Sequence, residues 1–260
     1  MELIVLGCSG SGPGPESPAA GYLVRAGDAA LVLDLGNGTF GALQRHLDPF
    51  ALDAVLFSHL HPDHCADFSA LAVHRRYHPF PPLDVRAQPL PVCAPGEAPE
   101  RFAMAYAASA AERAEADLTD VFAFTALADG STAGLAGTTV RARAVDHLCE
   151  AYALRVEHDG RSIVYSGDTG PCDALVELAR GADVLLCEAT WPHTGLWDEP
   201  PPGVHLSGRQ AGQHAAKAGV GRLLITHVAS WYDRDAILAE AAAAFDGPVE
   251  LVGADRSYPV

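Results

Sequence analysis

The segment Ser58-His59-Leu60-His61-Pro62-Asp63-His64 constrains this chain more than any other stretch. It places four metal-type donors within six residues, directly after the apolar run Ala54-Val55-Leu56-Phe57, which reads as a buried strand. Imidazole nitrogen and carboxylate oxygen are the donors that a borderline cation such as zinc prefers, and the alternation of His59 and His61 sets two imidazoles on one side of an extended segment. Asp63 and His64 then turn toward a second position. Donors offered in two directions predict two metals, because one tetrahedral ion would be crowded by four near-adjacent side chains. The competing reading is a histidine-rich surface turn, but such tracts seldom sit at the exit of a buried strand.

A centre of this kind needs more donors, and three other strand ends offer them. Residues 139–145 alternate like a half-buried strand and run into Asp146-His147. Residues 161–165 lead to Ser166-Gly167-Asp168-Thr169-Gly170, where glycines permit a sharp turn and leave Asp168 projecting. Residues 222–226 end at His227. Each of these alone has the ordinary reading of a satisfied structural residue. With the cluster they complete a set of seven donors, in which Asp168 takes the place of a carboxylate bridging two metals.

The order H-x-H-x-D-H, then His147, then Gly167-Asp168, then Thr226-His227 resembles the metallo-β-lactamase superfamily over nearly the whole chain. The resemblance implies an α/β fold, a four-layer αββα sandwich forming a single domain over residues 1–260. It further implies that His59, His61 and His147 hold one metal, that Asp63, His64 and His227 hold the other, and that Asp168 bridges them. Two more pieces are similar to the RNase-Z-like branch: Cys187-Glu188-Ala189-Thr190 to its H-E-A-T motif and His205-Leu206-Ser207 to its H-S-T motif. Cys187 replaces a histidine and Leu206 stands where serine is usual, while the acid and histidine that carry chemistry in the branch match Glu188 and His205. The catalytic groups implied are therefore Asp63, Glu188 and His205.

The residues support these roles independently. Residues 183–187 read as a buried strand, so Glu188 sits at its exit, partly desolvated and able to orient a neighbour. His205 precedes Ser207-Gly208-Arg209-Gln210, a capping box that opens a helix through Lys217. That puts His205 beside the positive end of a helix, a ready site for a phosphate oxygen, where a cationic imidazole could protonate an alkoxide leaving group. An ion pair or cap acceptor for Glu188, and a plain residue before the cap for His205, stay open at this stage, because only geometry separates them.

With 260 residues, 49% of them hydrophobic, the chain can bury a full core as one larger α/β domain. Residues 1–7 lack a basic region and read as the first strand rather than a signal peptide, and no apolar run is long enough to span a bilayer. Six cysteines lie scattered without C-x-x-C pairs, which argues against a thiolate site or a disulfide framework and for a cytoplasmic home. Cys65, beside the cluster, reads as a small buried hydrophobe.

Strands are expected at 2–7, 21–26, 29–35 and 54–58. The proline-rich stretch 79–99 is expected to meander into one alanine-rich helix over 99–116. Residues 150–158 and 161–165 predict a hairpin across Asp159-Gly160, with helices near 172–180 and 233–245. The resemblance implies that Asp34 supports the metal loop from behind. The glycine-rich loop 7–12 reads as a turn sooner than an anion cradle. The segment His74-Arg75-Arg76-Tyr77-His78 reads as a solvated helix face sooner than a phosphate or purine contact.

The mechanism implied is hydrolysis by a hydroxide held between two metals, with His205 as general acid assisted by Glu188. The RNase-Z-like pair favours a phosphodiester over a β-lactam or thioester. Two features turn the reading away from the alternative, a tRNA 3′ processing endoribonuclease. Processing enzymes carry a long basic arm between the third histidine and the bridging aspartate, whereas here only residues 148–167 lie between, and the hairpin uses them. Moreover 33 acids against 17 bases give a net charge of −16, which opposes the phosphate contacts a folded RNA needs. A small diester suffers far less from this field. The chain resembles the short RNase-Z-like cyclic-nucleotide phosphodiesterases, and 3′,5′-cyclic AMP is the first expected substrate. The expected cofactors are two divalent metal ions, zinc first, with manganese or iron open. No membrane partner is expected, nucleic acid is the lesser option, and a homodimer is compatible because RNase-Z-like proteins commonly pair. A second alternative, a non-catalytic carrier of the same fold, is opposed by the intact donor set together with Glu188 and His205.

Overall fold

Side-chain parity along the strands decides what each layer of this molecule packs against. In the strand Ala29–Leu35, Leu31 and Leu33 enter the core between two sheets, whereas Ala30 and Val32 enter a second core beneath outer helices. In Val184–Glu188, Val184 and Leu186 point inward and Leu185 and Cys187 outward. Strands that are apolar on both faces need cover on both, and the computed structural model, which describes residues 1–193 and 201–260, provides it with an αββα arrangement in one domain.

Each main sheet has seven strands. The first runs in the spatial order Ser257–Pro259, Glu2–Gly7, Gly21–Ala26, Ala29–Leu35, Ala54–Leu56, Leu90–Ala94 and Phe122–Ala126. The second runs Val249–Leu251, Arg222–Thr226, Val184–Glu188, Arg161–Tyr165, Tyr152–His158, Thr138–Ala144 and Thr132–Leu135. Helices Thr39–Leu43, Phe68–Tyr77 and Ala98–Tyr106 cover the first sheet, and Asp173–Ala179, Gly208–Ala218 and Arg234–Ala242 cover the second. Among the described residues, no helix is long and apolar enough to cross a membrane.

Several boundaries differ from the sequence expectation. The fourth strand stops at Leu56 instead of 58, because the Ser58 amide donates to the Asp34 carboxylate rather than to a neighbouring strand. The single helix expected over 99–116 is two, Ala98–Tyr106 and Ala110–Glu115; the chain turns extended at Ser109, whose side chain caps the second helix through the Glu112 amide. The proline-rich stretch is not all connection, since Leu90–Ala94 pairs in parallel with both Ala54–Leu56 and Phe122–Ala126. The hairpin forms with its strands at Tyr152–His158 and Arg161–Tyr165, and both turn residues, Asp159 (φ 48°) and Gly160 (φ 75°), are left-handed as a type I′ turn requires.

A third, two-stranded sheet pairs Ser9–Gly10 with Val228–Ala229. It explains the glycine-rich loop: a Cβ on Gly10 would collide with the carbonyl of His227, so the glycine is there for close backbone packing.

Candidate metal centre

Parallel strands end on the same edge of a sheet, so the loops that leave them converge. Ala29–Leu35 and Ala54–Leu56 are parallel in one sheet, and Arg161–Tyr165, Val184–Glu188 and Arg222–Thr226 are parallel in the other. Their C-terminal ends deliver Asp34, His59, Asp168, Glu188 and His227 to one place. His61 is the extended N-cap of the single-turn helix Pro62–Cys65, with Pro62 at its first position, and that turn presents Asp63 and His64. His147 arrives past the end of Thr138–Ala144.

The structure gathers all seven predicted donors. His59, His61, His147 and Asp168 form one group and Asp63, His64, Asp168 and His227 a second; in each, donor atoms lie within 4.8 Å of one another, and Asp168 belongs to both. Glu188, His205 and His227 form a third, adjoining group.

Outer partners assign the tautomers. The Nδ1–H of His64 donates to Asp34 Oδ2 (2.8 Å), that of His147 to the Val204 carbonyl (2.8 Å), and that of His227 to Thr190 Oγ1 (2.9 Å). The Nδ1–H of His59 faces Ser58 Oγ at 3.1 Å. The remaining ring nitrogens turn inward and lie within hydrogen-bond distance of one another: His64 Nε2 and His227 Nε2 are 3.0 Å apart, His59 Nε2 and His61 Nδ1 2.9 Å, and His147 Nε2 and His61 Nδ1 3.3 Å. Among the described residues Asp168 Oδ1 is buried with no hydrogen-bond partner, the His64 ring standing 3.3 Å away. Ring nitrogens and carboxylate oxygens converging from two sides on Asp168 are what a pair of cations would satisfy, so the donor set fits divalent metal.

Burial pushes His59, His61 and His147 below the ordinary imidazole value and so favours the neutral, ligating ring. For His64, burial works the same way, but Asp168 and Asp34 outweigh it and raise the ring's pKa. Asp63 and Asp168 are held below the ordinary carboxylate range, because His227 and His64 outweigh the opposing effect of burial.

Two fully buried carboxylates stand behind the donors. Asp34, in a left-handed conformation (φ 58°), accepts from the Ser58 amide (2.7 Å), Ser58 Oγ (2.7 Å), Tyr165 Oη (2.7 Å) and His64. Glu188, the last residue of its strand, continues the inward parity of Val184 and Leu186. Its Oε1 accepts from the Thr169 amide (2.7 Å) and His205 Nδ1–H (3.1 Å), and its Oε2 from Thr190 Oγ1 (2.8 Å). The His205 ring lies edge-on to Trp191 with centroids 5.0 Å apart. Burial opposes its charge, but Glu188 and then Asp168 prevail and push its pKa up to about 9. The predicted capping box forms at Ser207 and Gln210.

Sequence reasoning missed the hydroxyls that connect these groups, Ser58, Tyr165 and Thr190; only Thr190 carried a signal, as the last residue of Cys187-Glu188-Ala189-Thr190. Of the basic-aromatic segment, expected as a solvated face, Tyr77 and His78 are exposed, but the rest turns onto its own chain: His74 packs on Phe50 (centroids 4.8 Å), Arg75 is buried and donates to the Gln88 carbonyl, and Arg76 pairs with Asp120. Cys65 is buried with its thiol pKa pushed up to about 11, consistent with a packing role.

The family profile described as "Beta-lactamase superfamily domain" matches residues 31–228. An uncharacterized protein of Mycobacterium leprae is 47% identical over 263 residues, spanning 100% of this chain and 89% of that protein. A ribonuclease Z of Mycobacterium bovis is 33% identical over 281 residues, spanning 96% of this chain and 95% of that protein. The crystal structure of the metallo-β-lactamase fold protein YhfI from Bacillus subtilis superposes with a TM-score of 0.84 at 24% identity, covering 99% of this chain and 98% of that one. The chain belongs to the metallo-β-lactamase superfamily and is related to its RNase-Z-like metallo-hydrolases.

Proposed function

We propose that this metallo-hydrolase is a dinuclear phosphodiesterase that opens a small cyclic diester, with 3′,5′-cyclic AMP as first substrate and 5′-AMP as product. The observation that carries the reading is the shared position of Asp168 between two groups of donors, with the Glu188–His205 pair beside it. His59, His61 and His147 would hold one ion and Asp63, His64 and His227 the other, with Asp168 between them; zinc suits the nitrogen and oxygen donors, and manganese or iron would also be accepted. Divalent ions held there supply Lewis-acid polarisation of a phosphoryl oxygen and make water nucleophilic near neutral pH.

The chain's own residues do the rest. Glu188 Oε1 accepts the Nδ1 proton of His205, which fixes the ring and leaves Nε2 to protonate a leaving oxygen. In a 3′,5′-cyclic diester the bond from phosphorus to the 3′ oxygen breaks, water supplies the new phosphate oxygen and gives up a proton, and the 3′ oxygen leaves with the His205 proton, which a proton from solvent then replaces. Two features favour a small substrate over folded RNA. Both strands of the hairpin between His147 and Asp168 are bonded into the sheet, which leaves that segment no length for a substrate-clamping arm. The net charge of −16 repels a polyanion. The ribonuclease Z relative at 33% identity supports the competing reading of tRNA 3′ processing.

The test is turnover of metal-loaded protein on 3′,5′-cyclic AMP beside a 3′-extended precursor tRNA, with metal content measured on the same sample. Nucleotide product with intact tRNA is the expected result. Cleaved tRNA with intact cyclic nucleotide would replace this reading with the competing one, and no turnover of either would revive a carrier role.

A further inference from the structure

We propose that Thr190 is a positioning residue for the second of the two metal sites: its hydroxyl carries the hold of Glu188 across to His227 and so sets which nitrogen of that ring faces the metal. The proposal rests on the two-ion reading given above. Thr190 is buried and lies two residues past the Glu188 carboxylate. A threonine hydroxyl has one proton to give. Here Oγ1 spends it on Glu188 Oε2 at 2.8 Å, so toward His227 Nδ1, 2.9 Å away, it can only accept. His227 must then carry its proton on Nδ1, and Nε2 is left unprotonated toward Asp63 Oδ2 (3.2 Å) and His64 Nε2 (3.0 Å).

The backbone around Thr190 is independently secured. The Ala189 amide donates to the Thr226 carbonyl (3.0 Å) and the Ala229 amide to the Thr190 carbonyl (3.4 Å), so main-chain bonds grip the chain on both sides of His227. The residue between them has a left-handed backbone (φ 55°), which lets the ring leave the strand direction; the Thr190 hydroxyl then orients the ring itself. Replacing that hydroxyl by a methyl keeps the shape and the main-chain bonds but removes the acceptor. The Nδ1–H would then turn to Asp168 Oδ1, 3.5 Å away, and two proposed metal ligands would bond to each other instead of to an ion. His59, His61 and His147 touch neither Thr190 nor Glu188 in the hydrogen-bond pattern, so the first site should be spared. Glu188 thereby serves both parts of the centre, His205 directly and His227 through Thr190.

The experiment strips the full-length protein of metal, reloads it with zinc, and measures stoichiometry and chelator competition for wild type, Thr190→Val, Thr190→Ala and Thr190→Ser, with no substrate present. Wild type and Thr190→Ser are expected to bind two equivalents with the same affinities. The Val and Ala variants are expected to keep one equivalent tightly and to bind the other roughly 10–100-fold more weakly. Two equivalents in wild type with unchanged affinity in the Val or Ala variant would overturn the Thr190 assignment alone, and so would loss of the second ion in Thr190→Ser, which keeps the hydroxyl. Fewer than two equivalents in wild type would overturn the two-ion reading and this assignment with it.

Discussion

A buried ionisable side chain is defined by its partners, and His205 has an unusual pair of them. Its ring sits between Glu188 (3.1 Å) and Asp168 (3.6 Å), both almost fully buried, and their charge overcomes the desolvation that alone would keep an imidazole neutral. In the metal-free protein the ring is therefore expected to titrate near 9, and Glu188→Gln, which keeps the shape but removes the charge, should move it down toward or below the ordinary value. The sign follows for stability: a pKa raised on folding stabilises the native state below the unfolded value and loses that contribution as pH rises through about 9. Imidazole NMR titration of both proteins decides it, and an unmoved His205 resonance in Glu188→Gln would show that the pair is not electrostatically coupled. His205 is absent from the two donor groups that share Asp168, so His205→Ala should retain two equivalents of metal. Its turnover of a diester with a poor leaving group should fall by roughly 10²–10⁴-fold, the usual worth of a general acid. Parallel metal analysis and steady-state kinetics check this; joint loss of metal and activity would make His205 a ligand instead.

At the scale of elements, the centre depends on how closely the strand-end loops approach. The Gly36 amide donates to the Ala20 carbonyl and the Ala20 amide to the Asp63 carbonyl, so the loop after Ala29–Leu35 lies against the turn that carries Asp63. A Cβ at Gly36 would collide with the Asp63 carbonyl oxygen. Gly36→Ala should therefore displace Asp63 and His64, weaken metal binding and lower the unfolding temperature; metal content and affinity equal to wild type would show that the loops yield without moving the donors. This approach of one loop to another is what the sequence could not display. The donors themselves were legible because four of them cluster in one short motif, whose first, His59, follows the apolar Ala54–Leu56, and because others sit at strand ends, as His227 follows Arg222–Thr226. Ser58, Tyr165 and Thr190 were not, because a hydroxyl's partner depends on which strand ends become neighbours in space. The split at Ser109 was hidden by an alanine-rich run that favours helix throughout and leaves a local cap to decide the break. Leu90–Ala94 was hidden as five residues among prolines, too few for periodicity to register.

For the molecule as a whole, the centre is a concentration of negative charge placed inside an already acidic chain. Asp34, Asp168 and Glu188 are at most 2% exposed, and the net charge is −16. Part of the buried charge is answered internally, Asp34 by four donors and Glu188 by backbone, hydroxyl and imidazole groups, yet among the described residues Asp168 Oδ1 has no hydrogen-bond partner, only the His64 ring 3.3 Å away. A buried polar cluster that is compensated only in part opposes folding by roughly a few kcal/mol, and bound cations would relieve it. Ligands that bind only the native state stabilise it by about 2.7 kcal/mol when present at roughly 100 times their Kd. For a chain of this length about 1 kcal/mol corresponds to roughly 2–4 °C in Tm. Chelation should therefore lower the unfolding temperature by about 5–10 °C, and added zinc should restore it, because the two sheets meet at the donors and loss of the ions loosens both. Thermal unfolding followed with and without chelator measures this directly; a transition indifferent to metal would mean that the seven donors are held in place by the protein alone and that the native state gains nothing from the ions.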